Sequence, residues 1–164
     1  MKTIKLDLSF GDLPPGFDFI RPKHFDPLTY PWKLKSGSVS EAFSAFLLNR
    51  IPGERRGRFM DELWRVLIPN GKATILVPYW TSVRSVQDPC SAWPPLVEQS
   101  FLYFNKDWRK SQNINNTCSC DFDFQYGYVF EPETASRNDD TRPFWTKHYV
   151  NAVNDLQVTL TKKG

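Results

Sequence analysis

The first pattern in the chain is an alternation of apolar and polar residues at its start. The segment 3–10, TIKLDLSF, places Ile4, Leu6 and Leu8 on one face, as a half-buried strand requires. The strand cannot continue through Pro14-Pro15, because proline has no amide hydrogen to donate to a sheet. The pattern therefore predicts a strand that runs into a tight corner.

The longest helical pattern lies in the middle of the chain. Apolar residues at helical spacing, among them Phe59 and Leu63, predict an amphipathic helix from about Glu54 to Leu67. Pro69-Asn70-Gly71 predicts the end of the helix, and the apolar segment 72–80 predicts a buried strand. Helix, short turn and apolar strand are typical of an α/β crossover, which places this strand in the middle of a parallel sheet.

The remaining segments complete the pattern. Alternation predicts strands over 120–130 and 155–164, whereas 38–46 fits either a strand or a short helix. The segment 96–110 suggests a helix followed by a short strand, and 133–153 is polar with helical stretches that break before its proline. The other segments are connections, namely the proline-rich 25–37 and the loop 81–95.

Composition adds bounds to this picture. At 164 residues, 40% hydrophobic and 24% charged, the sequence fits one globular domain over 1–164. The aromatic content of 15% is high, and aromatic residues in loops often line pockets for planar ligands. A net charge of +3 without a basic run argues against a dedicated nucleic-acid arm.

The cysteines and histidines suggest neither a disulfide framework nor a metal site. Cys90, Cys118 and Cys120 are an odd set, and His24 and His148 do not stand at metal-ligand spacing from them. We therefore expect no metal, and reduced thiols predict a cytoplasmic location. No apolar stretch approaches the 18 residues of a membrane span, so no membrane association is expected.

The segment 59–80, FMDELWRVLIPNGKATILVPYW, carries a family resemblance. Its acidic helix, R-V-L-x-P-x-G-K turn and apolar strand resemble class I S-adenosylmethionine (SAM)-dependent methyltransferases, in particular a small phage or bacterial branch. In that family the helix precedes the fifth strand, and 25–32 would match the region of the second and third. The resemblance implies an α/β, Rossmann-like, doubly wound sheet, mostly parallel with an antiparallel C-terminal strand pair, and a ligand beyond the carboxyl ends of the strands.

The same resemblance implies a set of cofactor-binding residues. Asp7, Ser9 and Gly11 take the place of the family's D-x-G-x-G loop. Asp26 matches an acid that lies near the adenosine, and the backbone near Ser44 would complete the site. Glycines in such a loop let the backbone approach the cofactor closely.

Several polar positions depart from the family pattern, so the cofactor motif is degenerate. Ser9 replaces the first glycine of the loop, and Arg21 stands where an acid would accept hydrogen bonds from the ribose. Asn49-Arg50 replaces a Glu-His pair, and Ser91 stands where a histidine is expected. An intact scaffold with an altered pocket is what an inactive relative would look like.

Candidate acceptor-side residues follow the 72–80 strand. Tyr79, Trp80 and Trp93 would either wall an acceptor pocket or pack against the following segment. Asp88 is the weak candidate for a catalytic base.

Three functions stay open from the sequence. The first is a SAM-dependent methyltransferase homologue that transfers a methyl group to an unidentified acceptor. The second is a catalytically inactive protein of the same fold that serves as a binding or structural subunit. The third is an anion- or nucleic-acid-binding module. The candidate partners are a methyl acceptor, a protein partner, a nucleic acid and a second copy of the chain.

Overall fold

Five strands form one mixed sheet in the order β1-β2-β3-β5-β4. The computed structural model describes residues 4–11, 16, 18–115 and 118–164, so the predicted break at Pro14-Pro15 lies outside the described residues. The strands are β1 (Ile4–Asp7), β2 (Val39–Ala45), β3 (Leu67–Pro78), β4 (Phe122–Phe130) and β5 (Val153–Lys162). The helices are α1 (Gly53–Val66), α2 (Arg84–Gln87), α3 (Lys106–Ser111), α4 (Pro132–Ala135) and α5 (Arg142–His148), with 3₁₀ segments at Leu48–Arg50 and Glu98–Phe104.

The strand directions confirm the predicted fold class. Strands β1, β2 and β3 are parallel, whereas β5 is antiparallel to both β3 and β4. The sheet is thus Rossmann-like, with a parallel half and an antiparallel C-terminal strand pair. Strand β3 is the middle strand and α1 leads directly into it, so the crossover predicted around residues 54–80 is confirmed.

The junction of α1 and β3 differs from the sequence prediction. Helix α1 ends at Val66 and β3 begins at the next residue, so Pro69-Asn70-Gly71 lies inside the strand rather than before it. The register jumps here, because Val39 faces Leu67 while Glu41 faces Lys72. Asn70 takes a positive φ of 60°, a conformation that asparagine tolerates better than most residues. The expected turn is therefore a bulge that joins the helix and the sheet without a loop.

Two other segments differ from expectation, while the ambiguous 38–46 contains strand β2. The short strand predicted within 96–110 is wrong, because the side chain of Asn105 accepts the Trp108 N–H and begins α3 instead. The described residues of 18–38 are turns, bends and irregular backbone, and Ile20 alone among them makes a bridge to β1. The segment matched to the family's second and third strands thus adds no strand there, and β1 is an edge of the sheet.

One face of the sheet carries the core. Across β5, Leu156, Val158 and Leu160 are buried and stand opposite the buried side chains of β3. Phe101 packs over this face, 6.2 Å from the ring of Phe124. The alternate positions of the strands point to the other face, and many of them are exposed polar residues: Glu41, Lys72, Asp123, Gln125 and Gln157.

Two sequence predictions, the absence of a membrane span and the absence of a disulfide framework, can be compared with the structure. Among the described helices, none has both the length and the apolar character that crossing a bilayer demands. Cys90, Cys118 and Cys120 form no disulfide bond in the described structure. The cytoplasmic location stays a prediction.

Candidate functional site

The carboxyl ends of β1, β2 and β3 meet at one edge of the sheet. Backbone hydrogen bonds extend past the strands there: the Phe10 N–H donates to Ala45 O at 2.8 Å and the Phe46 N–H to Leu76 O at 2.8 Å. Ligands of open α/β sheets bind outside such carboxyl ends. We call this region, formed by the turn Asp7–Gly11 and by residues 46–50, the strand-end crevice.

Arg21 occupies the turn that follows β1. Its Nη2 donates to Asp7 Oδ2 at 2.7 Å, to the Ser9 carbonyl at 2.6 Å and to the Gly11 carbonyl at 2.9 Å. Asp7 is only 5% exposed, so the guanidinium supplies the cation that a buried carboxylate needs. One carboxylate and two carbonyls thus form a cation site, and a side chain of the same chain fills it.

The turn itself is built without the family's first glycine. The Asp7 carboxylate accepts the Ser9 N–H at 2.8 Å, and the Ser9 hydroxyl accepts the Ala45 N–H at 3.0 Å. Gly11 has a φ of +83° whereas Ser9 does not take a positive φ, so serine causes no left-handed strain at its position. Serine therefore fits this turn and ties it to β2.

A second arginine closes the crevice from the other side. The guanidinium carbon of Arg50 lies 3.7 Å from the centroid of the Phe10 ring, and the side chain forms an ion pair with Asp88. The cavity that remains between them has a volume of about 220 Å³, below the roughly 300 to 1,000 Å³ usual for small-molecule sites. The buried side-chain oxygen of Asn49, which lines this cavity, has no hydrogen-bond partner within the described structure.

A third ion pair lies where β3 and β5 meet. Arg84 donates to Asp155 Oδ2 at 2.7 Å, and Asp155 is buried. Burial raises the pKa of the Asp155 carboxyl above its usual range, although the guanidinium of Arg84 opposes the shift. The other carboxylate oxygen lacks a hydrogen-bond partner among the described atoms, so this carboxylate is incompletely compensated.

A larger cavity of about 660 Å³ lies beyond the end of β3 on the core side, and we call it the aromatic cavity. Its walls include Tyr79, Trp80, Tyr128 and Phe130. At its floor lies Glu98, whose Oε1 accepts the Tyr79 hydroxyl at 3.0 Å and also the Tyr128 hydroxyl. Burial raises the pKa of both tyrosines, so both hydroxyls remain donors at neutral pH.

Comparison with known proteins gives the fold a name. No protein-family model matches the sequence, and no curated protein matches it. Two solved structures are similar with a TM-score of 0.54 each. A SAM-dependent methyltransferase from Archaeoglobus fulgidus shares 12% identity, over 90% of this chain and 68% of that one. A loganic acid methyltransferase with SAH shares 10% identity, over 99% of this chain and 75% of that one. The chain has the methyltransferase fold.

Within the methyltransferase fold, the remaining predicted cofactor residues satisfy local structure. Asp26 accepts the Leu28 N–H at 2.9 Å and the Thr29 hydroxyl at 2.6 Å, and these two bonds lower the pKa of its carboxyl. It therefore closes its own turn. The Ser44 hydroxyl donates to the Leu8 carbonyl at 3.4 Å. Contact of Asp26 or Ser44 with a cofactor stays a prediction.

The predicted acceptor-side residues separate into two groups. Tyr79 and Trp80 line the aromatic cavity together, whereas Trp93 is 80% exposed and does not line that cavity. The Trp93 carbonyl accepts the N–H of Gly53 at the start of α1. Asp88 lies in the strand-end crevice and is held there by Arg50.

Sequence reasoning missed Glu98, Tyr128 and the partners of Arg21. Glu98 falls in the segment 96–110, which was predicted to be a helix followed by a short strand, and a glutamate in a helix is usually exposed to solvent. Tyr128 belongs to an alternating aromatic series that is typical of a packed strand. Arg21 was noted because it departs from the family's acidic residue at this position. Its contacts with residues 10 to 14 positions earlier could not be predicted, because such contacts leave no periodic pattern in the sequence.

A cysteine cluster lies against α1. Asp61 Oδ1, Cys118 Sγ and Cys120 Sγ lie within 4.8 Å of one another. The same Asp61 oxygen accepts the N–H groups of Ser119 and Cys120 at 2.8 and 2.7 Å. The hydrogen bond between Cys120 and Cys118 and the burial of Cys120 raise the pKa of the Cys120 side chain, so its protonated thiol form is favoured. Fixing a loop on α1 accounts for this cluster, and the expectation of no metal stays a prediction.

Proposed function

We propose that this protein is a methyltransferase homologue that does not transfer methyl groups and instead serves as a binding or structural subunit. The observation that carries the proposal is Arg21, whose Nη2 fills the turn after β1 and shares its two hydrogens among three oxygens. SAM is a cation that also carries an ammonium group, and it would compete with the guanidinium for the same oxygens. A hydrogen bond to a charged group contributes about 1.5 to 3 kcal/mol, and solvent screening of the 36% exposed Arg21 side chain places these contacts at the low end of that range. Displacing Arg21 still leaves the buried Asp7 carboxylate without its cation.

The neighbouring cavity beside residues 46–50 is also small. The cavity of about 220 Å³ is narrow because Arg50 stacks on Phe10 and pairs with Asp88. A nucleoside-sized ligand needs both of these side chains to move. We therefore derive no methyl-transfer step through this crevice.

Anion or nucleic-acid binding is less favoured by the same residues. Each crevice arginine faces a carboxylate, in the pairs Arg21–Asp7, Arg50–Asp88 and Arg84–Asp155. A phosphate attracted to these arginines would meet three carboxylates as well. The charges of the crevice thus compensate one another.

An active methyltransferase is the second candidate, and one observation favours it. The Asp7 carboxylate and the Ser9 and Gly11 carbonyls converge on a single cation, as they would have to in order to hold an ammonium group. In this case Arg21 leaves the turn when the cofactor binds, and Asp88 would be the candidate base. The two candidates differ in whether Arg21 can be displaced.

Calorimetric titration with SAM and SAH tests the proposal. We expect no heat of binding to the unaltered protein at millimolar ligand, and measurable binding to the double variant Arg21→Ala with Phe10→Ala, because these changes free the three oxygens and remove the ring on which Arg50 stacks. Lys23→Ala is the matched control, since it removes a nearby exposed positive charge. Micromolar binding of SAM to the unaltered protein would contradict the proposal and favour the active enzyme.

A further inference from the structure

The aromatic cavity is separate from the strand-end crevice. It lies on the core side of the end of β3, between the 3₁₀ segment Glu98–Phe104, the end of β4 and α5. Its volume of about 660 Å³ lies within the usual range for small-molecule sites. None of the three crevice arginines lines it. The cavity therefore needs an explanation of its own.

A buried carboxylate forms the floor of the cavity. Glu98 is 8% exposed, and its Oε1 accepts hydrogen bonds from Tyr79 and Tyr128. Over residues 4–11, 16, 18–115 and 118–164, no lysine, arginine or histidine pairs with it. A buried carboxylate without a cation is costly, so a cationic ligand would gain a partner here that the chain does not supply.

The walls of the cavity suit the same kind of ligand. Tyr79 and Tyr128 meet edge to face, with their ring centroids 5.4 Å apart, and Trp80 is 52% exposed beside them. The faces of aromatic rings attract organic cations, and aromatic cages recognise methylated ammonium groups. The ring of Phe130 already has a cation, because Arg142 lies 5.7 Å from its centroid. Among the described residues, no cation stacks on Tyr79, Trp80 or Tyr128, so these three rings are available for a ligand.

The rim of the cavity supplies positive charge. Arg142 is paired with Asp139 at 2.6 Å, so its charge is compensated. Lys147 lines the cavity, is exposed, and belongs to no ion pair within the described part of the chain. An acidic group on the outer end of a ligand would meet this ammonium.

We propose that the aromatic cavity binds a small zwitterion, with a methylated ammonium group held by Glu98 and the surrounding aromatic rings and an acidic group held by Lys147. This ligand class rests on the binding role proposed above and makes it specific. The carboxylate compensates the ammonium, the rings of Tyr79, Trp80 and Tyr128 exclude water from it, and the rim orients the acidic end.

Calorimetric titration with three probes tests the proposal. Choline carries the ammonium group, phosphocholine adds an acidic group, and 3,3-dimethylbutanol has the shape of choline without its charge. We expect phosphocholine to bind more tightly than choline, and choline about tenfold more tightly than the neutral alcohol, since one such step corresponds to about 1.4 kcal/mol. Equal affinity for choline and the neutral alcohol would overturn the proposal. A protein that binds neither choline nor phosphocholine would overturn it as well.

Variants assign the two ends of the ligand. Glu98→Gln, which keeps the shape of the side chain, should weaken both choline and phosphocholine about tenfold. Lys147→Met should weaken phosphocholine and leave choline unchanged or slightly tighter. If Glu98→Gln does not fold, Trp80→Ala replaces it, because Trp80 is half exposed, and Trp93→Ala is its matched control. Unchanged affinity in Trp80→Ala, or in a folded Glu98→Gln, would overturn the proposal.

The outcome is separable from that of the proposed function. SAM and SAH report on the strand-end crevice, whereas the choline probes report on the aromatic cavity. Micromolar SAM binding would overturn the inactive assignment and leave the zwitterion site standing. Failure of the choline probes would remove the zwitterion site and leave the closed crevice standing.

Discussion

The strand-end crevice and the aromatic cavity lie on either side of the end of β3 and differ in what occupies them. In the crevice, charged side chains from distant parts of the chain pair with one another and fill the space. In the cavity, a buried carboxylate and several rings surround space that no side chain fills. The methyltransferase fold therefore does not by itself determine which of its recesses can take a ligand, because a few charged side chains decide that.

Among single substitutions, removing Arg21 should have the largest effect on stability and should test whether charged side chains hold the crevice closed. Arg21→Ala leaves the carboxylate of Asp7 buried without its cation, and we expect a loss of about 2 to 3 kcal/mol in the free energy of unfolding. Urea denaturation followed by circular dichroism measures the loss. Lys23→Ala should change stability by less than about 0.5 kcal/mol. Equal stability of the two variants would mean that Arg21 does not hold the turn.

The tyrosines of the aromatic cavity should have the next largest effect. Tyr128→Phe removes one of two hydroxyl donors to Glu98 Oε1, and we expect a loss of about 1.5 kcal/mol. The double variant with Tyr79→Phe should lose more than the sum of the single changes, because the carboxylate then has neither donor. A thermodynamic double-mutant cycle from urea denaturation tests this, and simple additivity would show that the two hydroxyls do not share the carboxylate.

Asp155, which pairs with Arg84 beside the strand-end crevice, should make the free energy of unfolding of the protein depend on pH. Burial raises the pKa of Asp155 in the folded state above its ordinary value of 3.8, so the folded protein binds this proton more tightly than the unfolded chain. Stability relative to Asp155→Asn should therefore fall as pH rises from about 3.8 through the raised pKa. Denaturation of both proteins at several pH values measures the difference. The exposed Asp139→Asn is the control, and the opposite slope would contradict the raised pKa.

The stacked pair of Phe10 and Arg50 should contribute least. Phe10 is exposed beneath the guanidinium, and exposed cation–π contacts contribute about 0.5 to 1 kcal/mol. We expect Phe10→Ala to lower stability by no more than this, which thermal denaturation can measure. The same variant should leave choline binding unchanged, since Phe10 does not line the aromatic cavity. A change in choline affinity would show that the two recesses are coupled.

Sequence periodicity was sufficient for most of the fold. Helix α1 was predicted to begin near Glu54 and begins at Gly53, because its apolar face repeats over several turns. Strand β5 was predicted from alternation that its burial matches. The junction at Asn70 was not predictable in this way, since a bulge and a turn share the same residue preferences. Asn105 was a signal that the sequence prediction missed, since asparagine is a preferred N-cap residue.

The candidate site was less predictable than the fold. Tyr79 and Trp80 were placed correctly at the end of a central strand, because their position follows from β3 alone. The neutralisation of Arg21 and the burial of Glu98 depend on which distant segments meet, and one sequence without homologues does not record such contacts. Departures from a family pattern pointed to the crevice, but they did not show what would fill it.

The one-sided burial of the sheet has a consequence for mutation. Because alternate residues of β5 face the core and the solvent, inserting a single residue before Leu156 would turn that leucine outward and Gln157 inward. The polar residues of the exposed face therefore oppose a one-residue shift in strand pairing, since such a shift would bring glutamine, lysine or glutamate into the hydrophobic layer.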